Sequence, residues 1–290
     1  MRRCCAIILL CLLPPSPASW SRDFHFSNWS DNPRPFLDAI QKSARPSLPP
    51  LAAGQRVCGG IVTHHFLASR LMVHFFDGLR SQSSPETIIL LGPNHFHQGL
   101  ANISISSLPW KTPFGVLPVD THLVQKIGAA IRLPQDPEAF SGEHSVGVLI
   151  PFLKYYFPRS KVVPILIDVN AQESRLEDLR AVLSQALKNP KTLVLLSMDF
   201  SHDSIASIAD ARDRTAEQVI SVMDAGKTHE LNVDCRKGLR VLLESLSRAG
   251  YNGVQFNEHS NSARLTGKPD QPDGTSYFTI YFLNAPRTPS

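Results

Sequence analysis

The sequence predicts a single α/β domain with a central mixed sheet flanked by helices. Three short apolar segments, 59–63, 87–91 and 191–197, carry this prediction. Each has the unbroken apolar pattern of a strand that is buried on both faces. Each is also followed closely by a histidine: His64, His95 and His202. Since open α/β sheets bind ligands at the carboxyl ends of their strands, the pattern predicts a functional site at that edge.

The remaining segments fit the same architecture. Gly92-Pro93 ends the second strand, because proline lacks an amide donor and glycine adopts turn conformations. Asp120 is a suitable N-cap for a helix that runs to about residue 131. Further strands are predicted at 161–168, 253–256 and 277–283, a hairpin or edge pair within 102–119, and further helices at 36–42, 66–79, 145–157, 174–187, 205–225 and 239–249. This order of elements indicates one domain with a mixed sheet.

Composition excludes one class of partner. The chain has 290 residues, 42% of them hydrophobic, and a formal net charge of +4. No run of lysine and arginine exceeds two residues. A nucleic-acid-binding protein normally concentrates basic residues in a patch or stripe, so nucleic acid is not an expected partner.

The N-terminus has the pattern of a secretory signal peptide. Arg2-Arg3 precede an apolar stretch at 4–13, and small residues follow at 16–19. The apolar stretch is too short to span a bilayer comfortably, so no integral membrane span is expected after the leader is removed. The predicted organisation is a signal peptide at 1–19, a proline-rich lead-in at 20–56, the α/β domain at 57–284 and a tail at 285–290. A cleaved leader predicts an exported protein, periplasmic or extracellular, and an uncleaved leader predicts membrane anchoring.

Two cysteines, Cys58 and Cys235, remain after the leader. Two cysteines are too few for a disulfide framework in a domain of this size. A single bridge between them and a buried free state are both compatible with the sequence.

The candidate functional residues are histidines and carboxylates spread along the chain. Imidazoles at strand ends serve as metal ligands or as acid–base groups, because their pKa lies near neutrality. The sequence has no HExxH, paired CxxC, GxSxG, Walker or Rossmann glycine motif. Zincin, serine-hydrolase and nucleotide-dependent functions therefore lack their main signal. What remains is a metal centre or an acid–base site assembled from separate segments.

Four segments together resemble the Memo family, also called AmmeMemoRadiSam system protein B. They are GPNHF at 92–96, GEHSVGVLIPFLKYYFP at 142–158, VVPILID at 162–168 and MDFSHD at 198–203. The similarity runs from about residue 57 to 284. The resemblance implies the fold that this family shares with LigB-type extradiol dioxygenases, which use nonhaem iron.

The resemblance also implies roles for individual residues. It implies that His64, His95 and Cys235 bind a metal ion, and that Glu143, His144, Asp199 and His202 line the same pocket as catalytic residues. Two departures from the family pattern concern the first and third ligands. Around His64 the sequence reads Thr63-His64-His65-Phe66 instead of proline-histidine-alanine-glycine, and the glycine that normally follows the cysteine is replaced by Arg236.

Two imidazoles and one thiolate would suit a soft or borderline metal. The expected cofactor is therefore an iron or copper ion, and zinc also fits. Three functions follow: a redox-related metal-binding protein, an extradiol-type dioxygenase or related enzyme, and a non-catalytic module that binds a peptide or small ligand. The expected partner is a small molecule or a peptide.

The leader yields the first testable prediction. If the signal peptide is cleaved, mass spectrometry of the native mature protein will find a new N-terminus near Ser19 or Trp20. Soluble cytoplasmic protein that retains Met1 would contradict export.

Overall fold

The computed structural model describes residues 23–43, 51–268 and 272–284. The predicted signal peptide and tail lie outside these residues, as do residues 20–22 and 44–50 of the proline-rich segment. The strands are β1 (His25–Phe26), β2 (Val57–Val62), β3 (Thr87–Pro93), β4 (Ile103–Ile105), β5 (Trp110–Thr112), β6 (Gly115–Leu117), β7 (Lys161–Ile167), β8 (Thr192–Ser197), β9 (Gly253–Asn261) and β10 (Ser276–Leu283).

The main sheet has seven strands in the order β4-β7-β3-β8-β2-β10-β9. Strands β7, β3, β8 and β2 are parallel, whereas β4 and β10 run antiparallel to their neighbours. The predicted α/β class with a mixed sheet is thus confirmed. Every residue of β2, β3 and β8 is buried, which explains why these strands have continuous apolar sequences.

Helices cover both faces of this sheet. They are α1 (Arg34–Lys42), α2 (Ser69–Gln82), α3 (Thr121–Ile131), α4 (His144–Gly147), α5 (Leu149–Tyr156), α6 (Glu173–Ala186), α7 (Ala206–Ser221), α8 (Arg236–Arg248) and α9 (Ser262–Thr266). Successive glycines of β2 show the two faces. A Cβ atom on Gly59 would lie 3.2 Å from Leu246 of α8, and one on Gly60 would lie 2.7 Å from Phe75 of α2. Helix α2 therefore packs so closely that a side chain at position 60 would collide with it.

Most predicted helices are present with ends shifted by a few residues, and the Asp120 side chain caps α3 by accepting from the Leu123 amide. The helix predicted at 145–157 differs, because it is divided into α4 and α5. Pro151 has no amide to donate to the carbonyl of Gly147, four residues earlier. That carbonyl accepts instead from the Asn28 amide, at 3.1 Å. A tertiary contact thus replaces a helical hydrogen bond at the break.

Strand ends also differ from expectation. Strand β3 continues through Gly92 and Pro93, which pair with Leu166 and Ile167 of β7. Proline is tolerated there because it is the last residue of the strand. The stretch at 102–119 supplies β4 at the edge of the main sheet and the β5–β6 hairpin of a separate three-stranded sheet.

The lead-in segment contributes to the fold. Strand β1 pairs in parallel with β5. Phe36 of α1 is fully buried and makes edge-to-face ring contacts with Phe66, Phe114 and Phe152. The apolar core therefore includes residues that precede position 57, where the sequence placed the start of the domain.

Among the residues that the structure describes, none of the helices combines the length and apolar character needed to cross a bilayer.

The burial of Phe36 yields a stability prediction. Phe36→Ala should lower the free energy of unfolding by about 3–5 kcal/mol, because it removes a fully buried ring and leaves a cavity. Phe26 is 56% exposed, so Phe26→Ala serves as the control and should change stability by less than about 0.5 kcal/mol. Denaturant unfolding of both variants is the measurement. Equal small effects would show that α1 is not part of the cooperative core.

Candidate metal centre

The site lies where the carboxyl ends of three parallel strands meet. His64 stands two residues beyond the end of β2, His95 two beyond β3 and Asp199 two beyond β8. Strands β3 and β8 are neighbours, but the next strands along the chain, β4 and β9, lie at opposite edges of the sheet. The loops after β3 and β8 therefore diverge, and they leave a crevice of the kind in which open α/β sheets bind ligands.

Three imidazole nitrogens converge on one carboxylate oxygen in this crevice. Asp234 Oδ2 lies 3.3 Å from His64 Nε2, 3.6 Å from His95 Nε2 and 3.9 Å from His202 Nε2. One donor atom from each of His64, Asp199 and Asp234 lies within 4.8 Å of the others, and the same holds for His64, His95 and His144. Either group offers enough ligand atoms for one metal ion.

The orientation of the His64 ring is fixed by the hydroxyl group of Ser197. Its Nδ1 lies 3.0 Å from Ser197 Oγ. Ser197 Oγ itself donates to the carbonyl of Ser145 at 2.5 Å, so it accepts the Nδ1 proton of His64. Nε2 is therefore the nitrogen of His64 that faces Asp234 Oδ2.

Glu143 holds His95. Its Oε1 accepts from His95 Nδ1 at 2.9 Å, and its Oε2 accepts from the His95 amide at 2.8 Å. Oε1 also caps α4 by accepting from the Ser145 amide at 2.9 Å. A carboxylate on the second nitrogen of an imidazole is the usual support for a metal-binding histidine.

The pKa values of this pair move in opposite directions. Burial alone would lower the pKa of His95, but its hydrogen bonds to Asp234 and Glu143 outweigh burial and raise the pKa to about 9. Burial would raise the pKa of Glu143, but hydrogen bonds from His95 and Ser145 outweigh it and lower the pKa to about 2. Without metal, the two groups form a buried ion pair at neutral pH.

Asp199 links the loops that follow β2 and β8. Its Oδ1 accepts from the Thr63 hydroxyl and from the His64 amide, the latter at 3.2 Å. The Asp199 amide donates to the Asp234 carboxylate at 3.2 Å. Asp199 thereby positions His64 through its side chain and Asp234 through its backbone amide.

His144 lies at the mouth of the site. Its ring stacks on that of His95, with centroids 4.4 Å apart and an interplanar angle of 18°. Burial, together with the neighbouring His64 and His95, lowers the pKa of His144. Its side chain is 41% exposed, so a neutral imidazole is accessible from solvent beside the candidate ligands.

The structure thus brings together six of the residues that the sequence singled out: His64, His95, Glu143, His144, Asp199 and His202. Their roles as ligands or catalytic groups stay predictions.

Cys235 lies beside the cluster as the N-cap residue of α8. Its thiol is buried, and burial together with Asp234 raises its pKa well above the usual value, although the Gly238 amide hydrogen-bonds to it. Cys58 and Cys235 are both buried and free. Among the described residues, the groups of donors close enough to share an ion do not include Cys235. Whether this thiol binds metal stays a prediction.

Asp234 was not identified from the sequence. It immediately precedes Cys235, and no strand end or motif marks it. Its carboxylate reaches the histidines because the turn before α8 packs under the loop after β8, where the Asp234 amide donates to the carbonyl of Asp199 at 3.2 Å.

The His95–Glu143 pair gives a prediction about pH. Glu143 stabilises the fold above its ordinary pKa of 4.5, and this contribution is lost as pH falls towards 2. Charged His95 stabilises the fold below its ordinary pKa of 6.5, and this contribution is lost as pH rises through 9. The pair should stabilise metal-free protein fully between about pH 4.5 and 6.5.

NMR titration of EDTA-treated protein checks this prediction. The His95 ring should titrate near pH 9 in the wild type. In Glu143→Gln its pKa should be lower by at least about one unit, because one of its two carboxylate partners is removed. An unchanged His95 titration in Glu143→Gln would show that the ion pair does not form.

Comparison with known proteins agrees with this fold. A family model described as Memo-like protein matches residues 28–280. A MEMO1 family protein of Pyrobaculum aerophilum is 29% identical over 239 residues, which cover 79% of this chain and 85% of the relative. A MEMO1 family protein of Aquifex aeolicus is 36% identical over 148 residues, which cover 51% of this chain and 54% of the relative.

One solved structure shares the fold at low sequence identity. It is an uncharacterised protein from Escherichia coli K12, with a TM-score of 0.51 and 12% identity, covering 79% of this chain and all of that one. This likeness concerns the fold alone. The match of the family model over most of the sequence shows that the chain belongs to the Memo-like family.

Proposed function

We propose that this protein binds a redox-active metal ion through His64, His95 and Asp234, and that the ion serves chemistry on a small molecule or peptide that enters the crevice. One observation carries the proposal: imidazole Nε2 atoms from separate loops converge on Asp234 Oδ2, at 3.3 Å for His64 and 3.6 Å for His95.

Two features of the site fit a cation at this position. The hydrogen bond to Ser197 Oγ occupies His64 Nδ1, so Nε2 is the nitrogen of His64 that faces the Asp234 carboxylate, and a cation between the two atoms would be attracted to both. The Nε2 atom of His202 is buried and has no hydrogen-bond partner among the described residues, although it lies 3.9 Å from the same oxygen. A buried nitrogen without a partner requires an explanation, and a bound cation would supply one.

The third ligand decides which metal is preferred. Two imidazoles and the Asp234 carboxylate form the set that suits Fe(II) and leaves coordination positions open. Two imidazoles and the Cys235 thiolate, the set that the family resemblance implied, would favour copper or zinc. Proximity supports Asp234, and burial of the Cys235 thiol disfavours the thiolate that a metal needs.

The chain's own residues supply the rest of the chemistry. Glu143 and Ser197 hold the second nitrogens of His95 and His64, so both Nε2 atoms face the crevice. His144 is available to accept a proton, because its lowered pKa keeps it neutral near pH 7. A bound ion would supply Lewis acidity and electron transfer.

An extradiol-type dioxygenase is the second candidate function. It is favoured by one observation, the pairing of two histidines with a carboxylate at the edge of the sheet. Oxygen uptake by iron-loaded protein in the presence of catechols would support it. Metal binding without oxygen uptake would leave the redox-related function in place.

The identity of the third ligand can be tested by a matched pair of variants. Asp234→Ala should lower metal affinity by at least about tenfold, because it removes a charged ligand. Cys235→Ala should keep affinity within about threefold. The measurement is metal content and affinity for Fe(II), Cu and Zn, with His95→Ala as a loss-of-binding reference and the exposed His122→Ala as the unaffected control.

The opposite pattern, loss of metal only in Cys235→Ala, would assign the thiol as the ligand. Absence of metal from the wild-type protein under all loading conditions would contradict the proposal and favour a non-catalytic binding module.

A further inference from the structure

A second cavity lies next to the candidate metal centre. It has a volume of about 360 Å³, between the end of β7, the start of α8 and the 3₁₀ helix Ala225–Glu230. The histidines of the metal site do not line it. Its apolar wall comes from Ile167, Val169 and Val233, and Val169 is 67% exposed. This apolar surface is open to a ligand.

Six fully charged side chains line the cavity: Asp168, Glu173, Asp234, Arg236, Lys237 and Arg240. The three carboxylates all have partners elsewhere. Asp168 binds His97 Nδ1 at 2.6 Å, and Glu173 binds Arg180 at 2.5 Å. Asp234 faces the histidines of the metal site. Each carboxylate of the lining therefore has a hydrogen-bond or ion-pair partner.

The three cations of the lining differ in their partners. Arg240 pairs with Glu173 and Glu244. Arg236, however, donates from Nε to the carbonyl of Leu231 at 2.5 Å, and Lys237 donates to the carbonyl of Ala171 at 2.6 Å. Within the described chain neither has a carboxylate partner. An ammonium has three donors and a guanidinium five, so both retain donors for a ligand.

The other polar residues of the lining are Thr228, His229 and Cys235. His229 is largely exposed, and its Nε2 lies 3.9 Å from Glu230. Helices α6 and α8 both begin at the cavity, and their N-terminal dipoles add potential of the same sign as the two free cations. The cavity thus combines an apolar wall with two cations, Arg236 and Lys237, that lack a carboxylate partner among the described residues.

We infer that this cavity binds a small amphipathic anion, a carboxylate with a short hydrocarbon chain, whose charge contacts Lys237 and Arg236 and whose chain covers Val169 and Val233. The apolar wall provides area to bury, and the unpaired cations select the sign of the head group. The inference does not depend on the bound metal, because none of these four residues is a proposed ligand.

The test compares three probes of equal chain length: hexanoate, 1-hexanol and hexylammonium. Titration calorimetry uses EDTA-treated protein, since a carboxylate would otherwise bind a metal ion directly. Hexanoate should bind at least about tenfold more tightly than the other two probes. NMR should show chemical-shift changes at the methyl groups of Val169 and Val233. Equal binding of all three probes, or shifts confined to other regions, would overturn the inference.

Charge reversal provides the sharper test. Lys237→Glu should reverse the preference, so that hexylammonium binds more tightly than hexanoate, an outcome that a purely structural role of Lys237 would not produce. Lys126→Gln, on the exposed face of α3, is the control and should bind hexanoate like the wild type. If Lys237→Glu fails to fold, Arg236→Gln replaces it, with at least about fivefold weaker hexanoate binding expected. An unchanged preference in the folded variant would contradict the inference.

Discussion

The parallel pairing of β3 with β8 is the constraint on which the rest of the site depends. Leu91 pairs with Leu196, so the two strands end at nearly the same level. Val62 of β2 pairs with Ser197 on the other side of β8. This register brings the loops that carry His64, His95 and Asp199 to one crevice. A shift of β2 by one residue would exchange its two faces, and Gly60 would no longer face Phe75 of α2, where there is no room for a side chain. This close packing fixes the register of β2 and, with it, the position of His64.

Buried charge requires compensation, and the site shows how the chain provides it. Glu143 has a fully buried side chain, yet its pKa falls because it accepts three hydrogen bonds, two of them from His95. Asp199 is similarly held by Thr63 and the His64 amide. These contacts leave the Nε2 atoms of the histidines facing one another and Asp234. The geometry that orients the ligand candidates is thus the same geometry that keeps the buried carboxylates satisfied.

The lead-in segment is coupled to the site through α4. The Asn28 amide donates to the Gly147 carbonyl that Pro151 leaves free, and α4 begins at His144 and is capped by Glu143. Trp29 packs on Phe36 and Phe66, and Phe66 lies two residues beyond His64. Asn28 and Trp29, which precede β2 in the chain, therefore contact the segments that follow β2 and that contain α4. A proline inside an apolar helix, which weakens the helix locally, permits this tertiary contact.

Local sequence determined most of the strands and helices of this protein. Uninterrupted apolar runs specified the buried parallel strands, and Asp120 marked the start of α3, because these features depend on neighbouring residues. The positions of His64 and His95 at strand ends likewise followed from the chain alone. Only the tertiary structure decided that Asp234 faces His64 and His95 while the thiol of the adjacent Cys235 is buried. That choice depends on how the turn before α8 packs beneath the loop after β8. Packing between segments some 35 residues apart leaves no periodicity or spacing in the sequence, so the side chain that completes the site was visible only in three dimensions.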